Sequence, residues 1–181
     1  MGEGASAAVE MYLDAEAEDR VRALRRTLAE AGAGSCVESI ASAPHVRLAL
    51  FDELDRSRAV SALSRFAESC EPLTVSLRGV ETLDEPERVI FLALAGEEEL
   101  TAAHAELHAF LRSMRLTSSP LYLPGRWIPR CTLARHVAAD VFDAAVSAAR
   151  GAFREFEGNL CEIGLVEAAP VRTLWRRRLA A

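Results

Sequence analysis

Apolar residues recur along this chain in two rhythms, and the switches between them predict an order of elements. Val9 to Leu13 is short and mixed and reads as a first strand ahead of a helix. Asp14 suits the cap of that helix, Glu16, Glu18 and Asp19 suit its positive end, and Ala17, Val21, Leu24, Leu28 and Ala31 form its inner stripe until Gly32 and Gly34. Pro44 opens a strand from His45 to Phe51, and Asp55 or Ser57 starts a second helix with Val60, Leu63, Phe66 and Ala67 inward. Leu73, Val75 and Leu77 alternate with polar neighbours, and Val89 to Ala95 is continuously apolar. With Gly79 and Pro86 as punctuation, these make two adjacent strands.

Glu97, Glu98 and Glu99 begin a third helix, striped by Leu100, His104, Leu107, Leu111 and Met114. A loop rich in Ser and Pro follows from Thr117 to Gly125, then a strand from Trp127 to His136. Asp140 is expected to cap a fourth helix carrying Phe142, Ala145, Ala149 and Phe153. Cys161, Ile163 and Leu165, then Val171 to Leu179, close the chain as two strands. The predicted order is βαβαββαβαββ, an α+β fold with sheets covered by outer helices. The run Arg176-Arg177-Arg178 falls on the last strand, where the outer two and the middle one point to opposite faces, and reads as a charged, protected sheet edge.

Composition narrows the chemistry. The 181 residues carry a formal charge of −6, so indiscriminate attraction to a nucleic-acid backbone is excluded as the main business and any polyanion must be met locally. All 21 basic residues are arginine. Without lysine there is no Walker-type phosphate loop, no Schiff base and no lysyl adenylate. Glutamine is absent and Asn159 is the sole asparagine, which leaves recognition to arginine, hydroxyls, aromatics, histidine and the backbone. Cys36, Cys70, Cys131 and Cys161 are too far apart for a zinc knuckle and read as idle thiols. His104 and His108 share a helix face, but His-Ala-Glu-Leu-His is not the zincin order and no third ligand is evident, so no metal is expected. The first residues do not read as a signal peptide and no run reaches a membrane span, so a cytoplasmic protein is expected.

One internal repeat carries the functional argument. Pro44-His45-Val46-Arg47-Leu48-Ala49 and Pro129-Arg130-Cys131-Thr132-Leu133-Ala134 lie 85 residues apart, each on a strand followed by a helix. This predicts an internally duplicated fold, residues 1–181 as one domain of two lobes, whose motifs at 44–49 and 129–134 face each other across a pseudo-two-fold axis. Residues two apart on a strand share a face, so His45 with Arg47, and Arg130 with Thr132, are expected to converge.

On these residues the chain resembles the two-histidine (2H) phosphoesterases, specifically the bacterial and plant 2'-5' RNA ligase-like and cyclic phosphodiesterase branch. Tyr12-Leu13-Asp14 with its helix, the Pro44 motif, the Gly79 region and above all Trp127 to Ala134 carry the likeness. The resemblance implies two antiparallel or mixed sheets around a central cleft. It also implies a His-x-Thr/Ser motif in each half, whose histidines act as general base and general acid on a 2',3'-cyclic phosphate or a 2'-5' linkage. The hydroxyls hold phosphate oxygens, and no metal or nucleotide cofactor is required.

Both motifs depart from that pattern, and both departures are to arginine. The first keeps His45 but has Arg47 in place of the hydroxyl; the second keeps Thr132 but has Arg130 in place of the histidine. Arginine does not exchange its proton near neutrality, so one proton carrier is gone. Losing such a group costs about 10²–10⁴ in rate. Arginine forks do bind phosphate, so Arg47, Arg130 and Thr132 are expected to grip a nucleotide or RNA terminus carrying a 2'-, 3'- or cyclic phosphate. His45 is expected to be pushed toward its neutral form by like charge. Tyr122 and Trp127 flank the second motif as candidates for stacking on a base or for packing. Two rival expectations remain. One is an active 2',3'-cyclic phosphodiesterase using His45 as base and Arg130 for charge stabilisation; the other is a non-catalytic scaffold with a protein partner.

Overall fold

The computed structural model describes residues 7–38, 43–83, 88–95, 98–168 and 171–180. Among these, the strands are β1 (Ala7–Leu13), β2 (His45–Phe51), β3 (Leu73–Leu83), β4 (Val89–Ala95), β5 (Arg130–Ala134), β6 (Phe156–Ala168) and β7 (Val171–Arg178). The α-helices are α1 (Ala15–Leu28), a short α2 (Gly34–Glu38), α3 (Arg56–Ser69), α4 (Glu98–Ser113) and α5 (Ala139–Ala152). The order predicted from periodicity is the one observed, with α2 added.

The local reasons are visible in the chain. Asp14 caps α1 by accepting from the Ala17 N–H at 2.9 Å, and Asp55 caps α3 by accepting from Arg58 at 3.1 Å. A π-helical turn, Ala29–Ala33, ends α1 because Gly32 adopts φ +96°, and a Cβ there would sit 3.3 Å from Val141 Cγ1. Gly34 does not stop the helix as expected but starts α2. Two other boundaries move. Trp127 to Pro129 stay outside β5, since proline has no N–H for the ladder and pairing begins at Arg130 against Ala93. The cap of α5 is Ala138, and Asp140 lies within the first turn. Pro86 and Glu97 fall outside the described residues.

The seven strands form one sheet in the order β1-β2-β5-β4-β3-β6-β7, with β1 also pairing β6 and every pairing antiparallel. This arrangement is an internal duplication. Exchanging β1 with β4, β2 with β5 and β3 with β6 reproduces every pairing except that of the added edge strand β7 with β6, so β6-β1-β2 and β3-β4-β5 are two equivalent three-stranded halves. The helices obey the same exchange: α1 packs on α5, and α3 packs on α4. The halves are joined by the β3–β6 ladder, from Leu73 with Leu160 to Leu77 with Phe156, and, between the motif strands β2 and β5, by the pair Val46 with Cys131. Those positions are separated by the 85 residues of the sequence repeat, as a two-fold axis through the β2–β5 pair requires.

The core between sheet and helices is apolar, with Met11, Leu48, Leu63, Phe66, Leu92 and Leu107 fully buried. Burying such side chains supplies about 1.5–3 kcal/mol each. β7 is a sheet edge whose arginines are paired: Arg176 and Arg178 with Glu162 on one face, Arg177 with Glu68 on the other. That matches the alternation expected of a charged edge strand. Among the described residues no helix is long and apolar enough to cross a membrane.

Candidate functional site

A β-bulge decides which side chains share the face of the first motif. Along β1 and β2 the register runs Val9 with Ala49 and then Glu10 with Arg47, so Leu48 is an extra residue with no partner on β1. The shift sets Glu10 beside Arg47 and Tyr12 beside His45. The second half repeats the device, because Ile90 pairs Ala134 and Phe91 pairs Thr132, leaving Leu133 as the extra residue. Leu48 and Leu133 again lie 85 residues apart.

Antiparallel register about Val46 and Cys131 then places His45 across from Thr132, and Arg47 across from Arg130. The four positions picked out by the repeat therefore share one face of two adjacent strands. The fold also adds a residue that the motif did not reveal. Glu10 is fully buried, and its Oε1 receives both His45 Nε2 at 3.1 Å and Arg47 Nη2 at 3.0 Å. Tyr12 donates its hydroxyl to Oε2 at 3.3 Å. Tyr12 is itself packed closely: Arg176 lies 3.9 Å over its ring, and a Cβ on Gly164 would come within 2.8 Å of it. Burial pushes the Tyr12 phenol well above its ordinary range, which keeps it a donor to Glu10.

His45 is only 5% exposed. Its other nitrogen, Nδ1, lies 2.8 Å from the Ala43 carbonyl, so both ring nitrogens face acceptors within the protein. Its pKa lies below the ordinary histidine value, as expected, but the leading cause is burial; Arg47 adds to it and Glu10 opposes it. Arg47 is held charged chiefly by Glu10, against the pull of burial, with the Tyr122 hydroxyl also contributing. Its Nε is buried and has no acceptor among the described residues.

The β5 side differs. Arg130 lies over the Phe91 ring at 5.8 Å and, among the described residues, forms no ion pair; the Thr132 hydroxyl likewise makes no hydrogen bond there. Both side chains are half-buried. Behind them, Arg25 reaches from α1 to donate to the Thr132 carbonyl at 2.9 Å, fixing β5 beside the helix. Arg25 and Glu10 are the two site residues the motif reading missed. Each left a trace: Glu10 breaks an apolar run, and Arg25 sits four residues after Val21, on the inner stripe of α1.

Trp127 stacks on His104 with ring centroids 4.0 Å apart and planes at 9°, and its Nε1 donates to the Arg47 carbonyl at 2.8 Å. It buttresses β2 from behind the motif. Tyr122 is half-buried at the end of a 3-10 turn, Pro120–Tyr122, against Arg47. The bulge explains the histidines of α4. The Leu48 carbonyl, released from the ladder, lies 3.1 Å from His104 Nε2 and 3.2 Å from His108 Nε2, and its two lone pairs accept from both neutral rings. His136 lies beyond β5 in a left-handed turn at φ 56°. Among the described residues no group of three metal-ligating side chains occurs.

These neutral histidines predict a pH dependence. Burial, with His108 nearby, lowers the His104 pKa to about 4, and burial lowers His108 as well. The unfolded chain binds a proton at each ring near pH 6.5 while the folded chain resists it, so stability falls as pH drops through that point toward 4. For His104 alone the loss amounts to about 3 kcal/mol. Thermal melts between pH 7.5 and 4 should show this decline, and His104→Phe should make it shallower.

A two-fold α+β sheet that brings one motif from each half onto a shared face at its dyad is the architecture of the two-histidine phosphoesterases. The chain belongs to the 2'-5' RNA ligase superfamily, whose sequence profile matches residues 38–171. Solved structures share the fold. Escherichia coli LigT complexed with 3'-AMP is 17% identical with a TM-score of 0.62, over 99% of this chain and 100% of that one. TT0787 of Thermus thermophilus is 17% identical with a TM-score of 0.60, over 96% and 97%. Kluyveromyces marxianus Usb1 is 12% identical with a TM-score of 0.51, over 95% and 98%. No curated protein matches the sequence.

Proposed function

We propose that the chain, acting as one two-lobed domain in the cytoplasm, binds a nucleotide or RNA terminus carrying a 2'-, 3'- or 2',3'-cyclic phosphate, and that two-histidine turnover is lost. The observation that carries this reading is the unpaired state of Arg130 and the Thr132 hydroxyl among the described residues, on the strand face across from Arg47. Two donors two residues apart on a strand, about 6.6 Å along it, are spaced to take separate oxygens of one phosphate. The loss of turnover follows from His45. Its ring is buried and turned inward to Glu10 and Ala43, and the facing motif has no second proton carrier. Tyr122, beside Arg47, is the aromatic side chain placed to meet a base or ribose. LigT, which shares the fold, has been crystallised with 3'-AMP, ATP and NADP+, and this makes adenine nucleotides the first probes.

Thermal melts with 3'-AMP and with 2',3'-cyclic AMP test the reading. A ligand at about 100 times its Kd should stabilise the protein by about 2.7 kcal/mol. Arg130→Ala should weaken binding roughly 10- to 100-fold, the worth of a charge-assisted hydrogen bond. No stabilisation by any phosphate ligand would favour a scaffold. Rapid hydrolysis of 2',3'-cyclic AMP that His45→Ala abolishes would instead establish a one-histidine enzyme.

A further inference from the structure

Besides the two motif positions already described, the halves differ where the carboxylate lies. Val9 and Glu10 on β1 occupy the places that Ile90 and Phe91 occupy on β4, each pair flanking the bulge opposite it. In the second half that place holds an aromatic ring beneath Arg130. In the first it holds a fully buried negative charge, gripped by His45, Arg47 and Tyr12. A charge buried in protein is poorly screened by solvent and salt, so it offsets the guanidinium it touches instead of leaving that cation to a ligand.

Resting on the phosphate-binding reading above, we infer that Glu10 is a specificity-determining residue that sets the charge of the phosphate the cleft accepts. It favours a phosphodiester or cyclic phosphate, with one negative charge, over a terminal phosphomonoester, with nearly two. Arg47 is internally balanced by Glu10, Arg25 is engaged with the Thr132 carbonyl behind β5, and Arg176 is paired with Glu162. Among the described residues of the motif face, Arg130 is then the guanidinium without a carboxylate of its own. One unbalanced guanidinium matches one negative charge. The second charge of a phosphomonoester, present above its pKa of about 6, finds no second unbalanced cation, because Glu10 has taken up Arg47.

Calorimetric titration at pH 7.5 and fixed ionic strength tests this with three adenosine ligands. 2',3'-Cyclic AMP and the methyl ester of 3'-AMP carry one charge in closed and open form, and 3'-AMP carries nearly two. The native chain should bind both singly charged ligands roughly ten-fold more tightly than 3'-AMP. Glu10→Gln, which keeps the shape and most hydrogen bonds, should bring that ratio close to one. Arg47→Gln, with Glu10 retained, should widen it. The opposite directions separate an effect of charge from a general loosening of the fold, which would lower all three affinities together. Equal affinities in the native chain, a ratio that neither variant moves, or a preference for the cyclic ligand over the methyl ester would overturn the role of Glu10 while leaving phosphate binding intact. Failure of all three ligands to bind either the native chain or Glu10→Gln would overturn both readings.

Discussion

Glu10→Ala should destabilise the folded chain by about 3–5 kcal/mol, the usual cost of removing one partner from a buried ion pair. The alanine would leave a partly exposed Arg47 with no carboxylate, and the buried Tyr12 hydroxyl and His45 Nε2 without the carboxylate they contact. Most small proteins are stable by only about 5–15 kcal/mol, so a loss of this size should be plain in urea denaturation at pH 7. The double variant Glu10→Met/Arg47→Met should lose far less, because removing both charges leaves neither uncompensated. Additive losses in this cycle would show that the contact between the two side chains carries no coupling energy, contrary to the geometry.

The second large effect concerns turnover. Arg130→His alone should leave hydrolysis of 2',3'-cyclic AMP close to background, although it restores a histidine to the second motif. His45 would still be turned to Glu10 and Ala43, and Arg47 would still stand where the hydroxyl belongs. The triple variant Glu10→Phe/Arg47→Thr/Arg130→His removes the carboxylate that holds His45 and makes the two halves alike at all three positions. It should raise the rate by about 10²–10⁴ over the single variant, the contribution of one positioned acid or base. That corresponds to about 3–5 kcal/mol in the barrier. A large gain from Arg130→His alone would mean that the Glu10–His45 contact opens readily when substrate binds.

These two expectations differ in how far the sequence could have led to them. The 85-residue offset between the motifs was enough to infer two halves about a dyad, and Val46 pairing with Cys131 realises that offset. Periodicity was enough for the strands at His45–Phe51 and Val89–Ala95 and for the cap at Asp14, because strand alternation and helix capping are local properties of a few neighbouring residues. Elsewhere local signals misled. Asp140 has the chemistry of a cap but lies two residues past it, within the first turn, and Trp127 has the appearance of a strand residue while its indole is taken up by the Arg47 carbonyl and the His104 ring.

The residues of both motifs, the absence of lysine and the arginine at each departure are properties of the chain alone, and they determined that any chemistry here rests on guanidinium, imidazole and hydroxyl groups. What the tertiary structure decided is which of those groups are taken up by partners within the protein. Glu10 lies 35 residues before His45 and 37 before Arg47, and nothing local to either segment couples them. The bulge at Leu48 does so by shifting the register of two strands by one residue, and a shift of one residue exchanges the faces of a strand. Long-range pairing of that kind depends on the whole sheet closing, and so the imidazole found by the motif became the partner of a buried carboxylate, while the Arg130 guanidinium and the Thr132 hydroxyl have no such partner among the described residues.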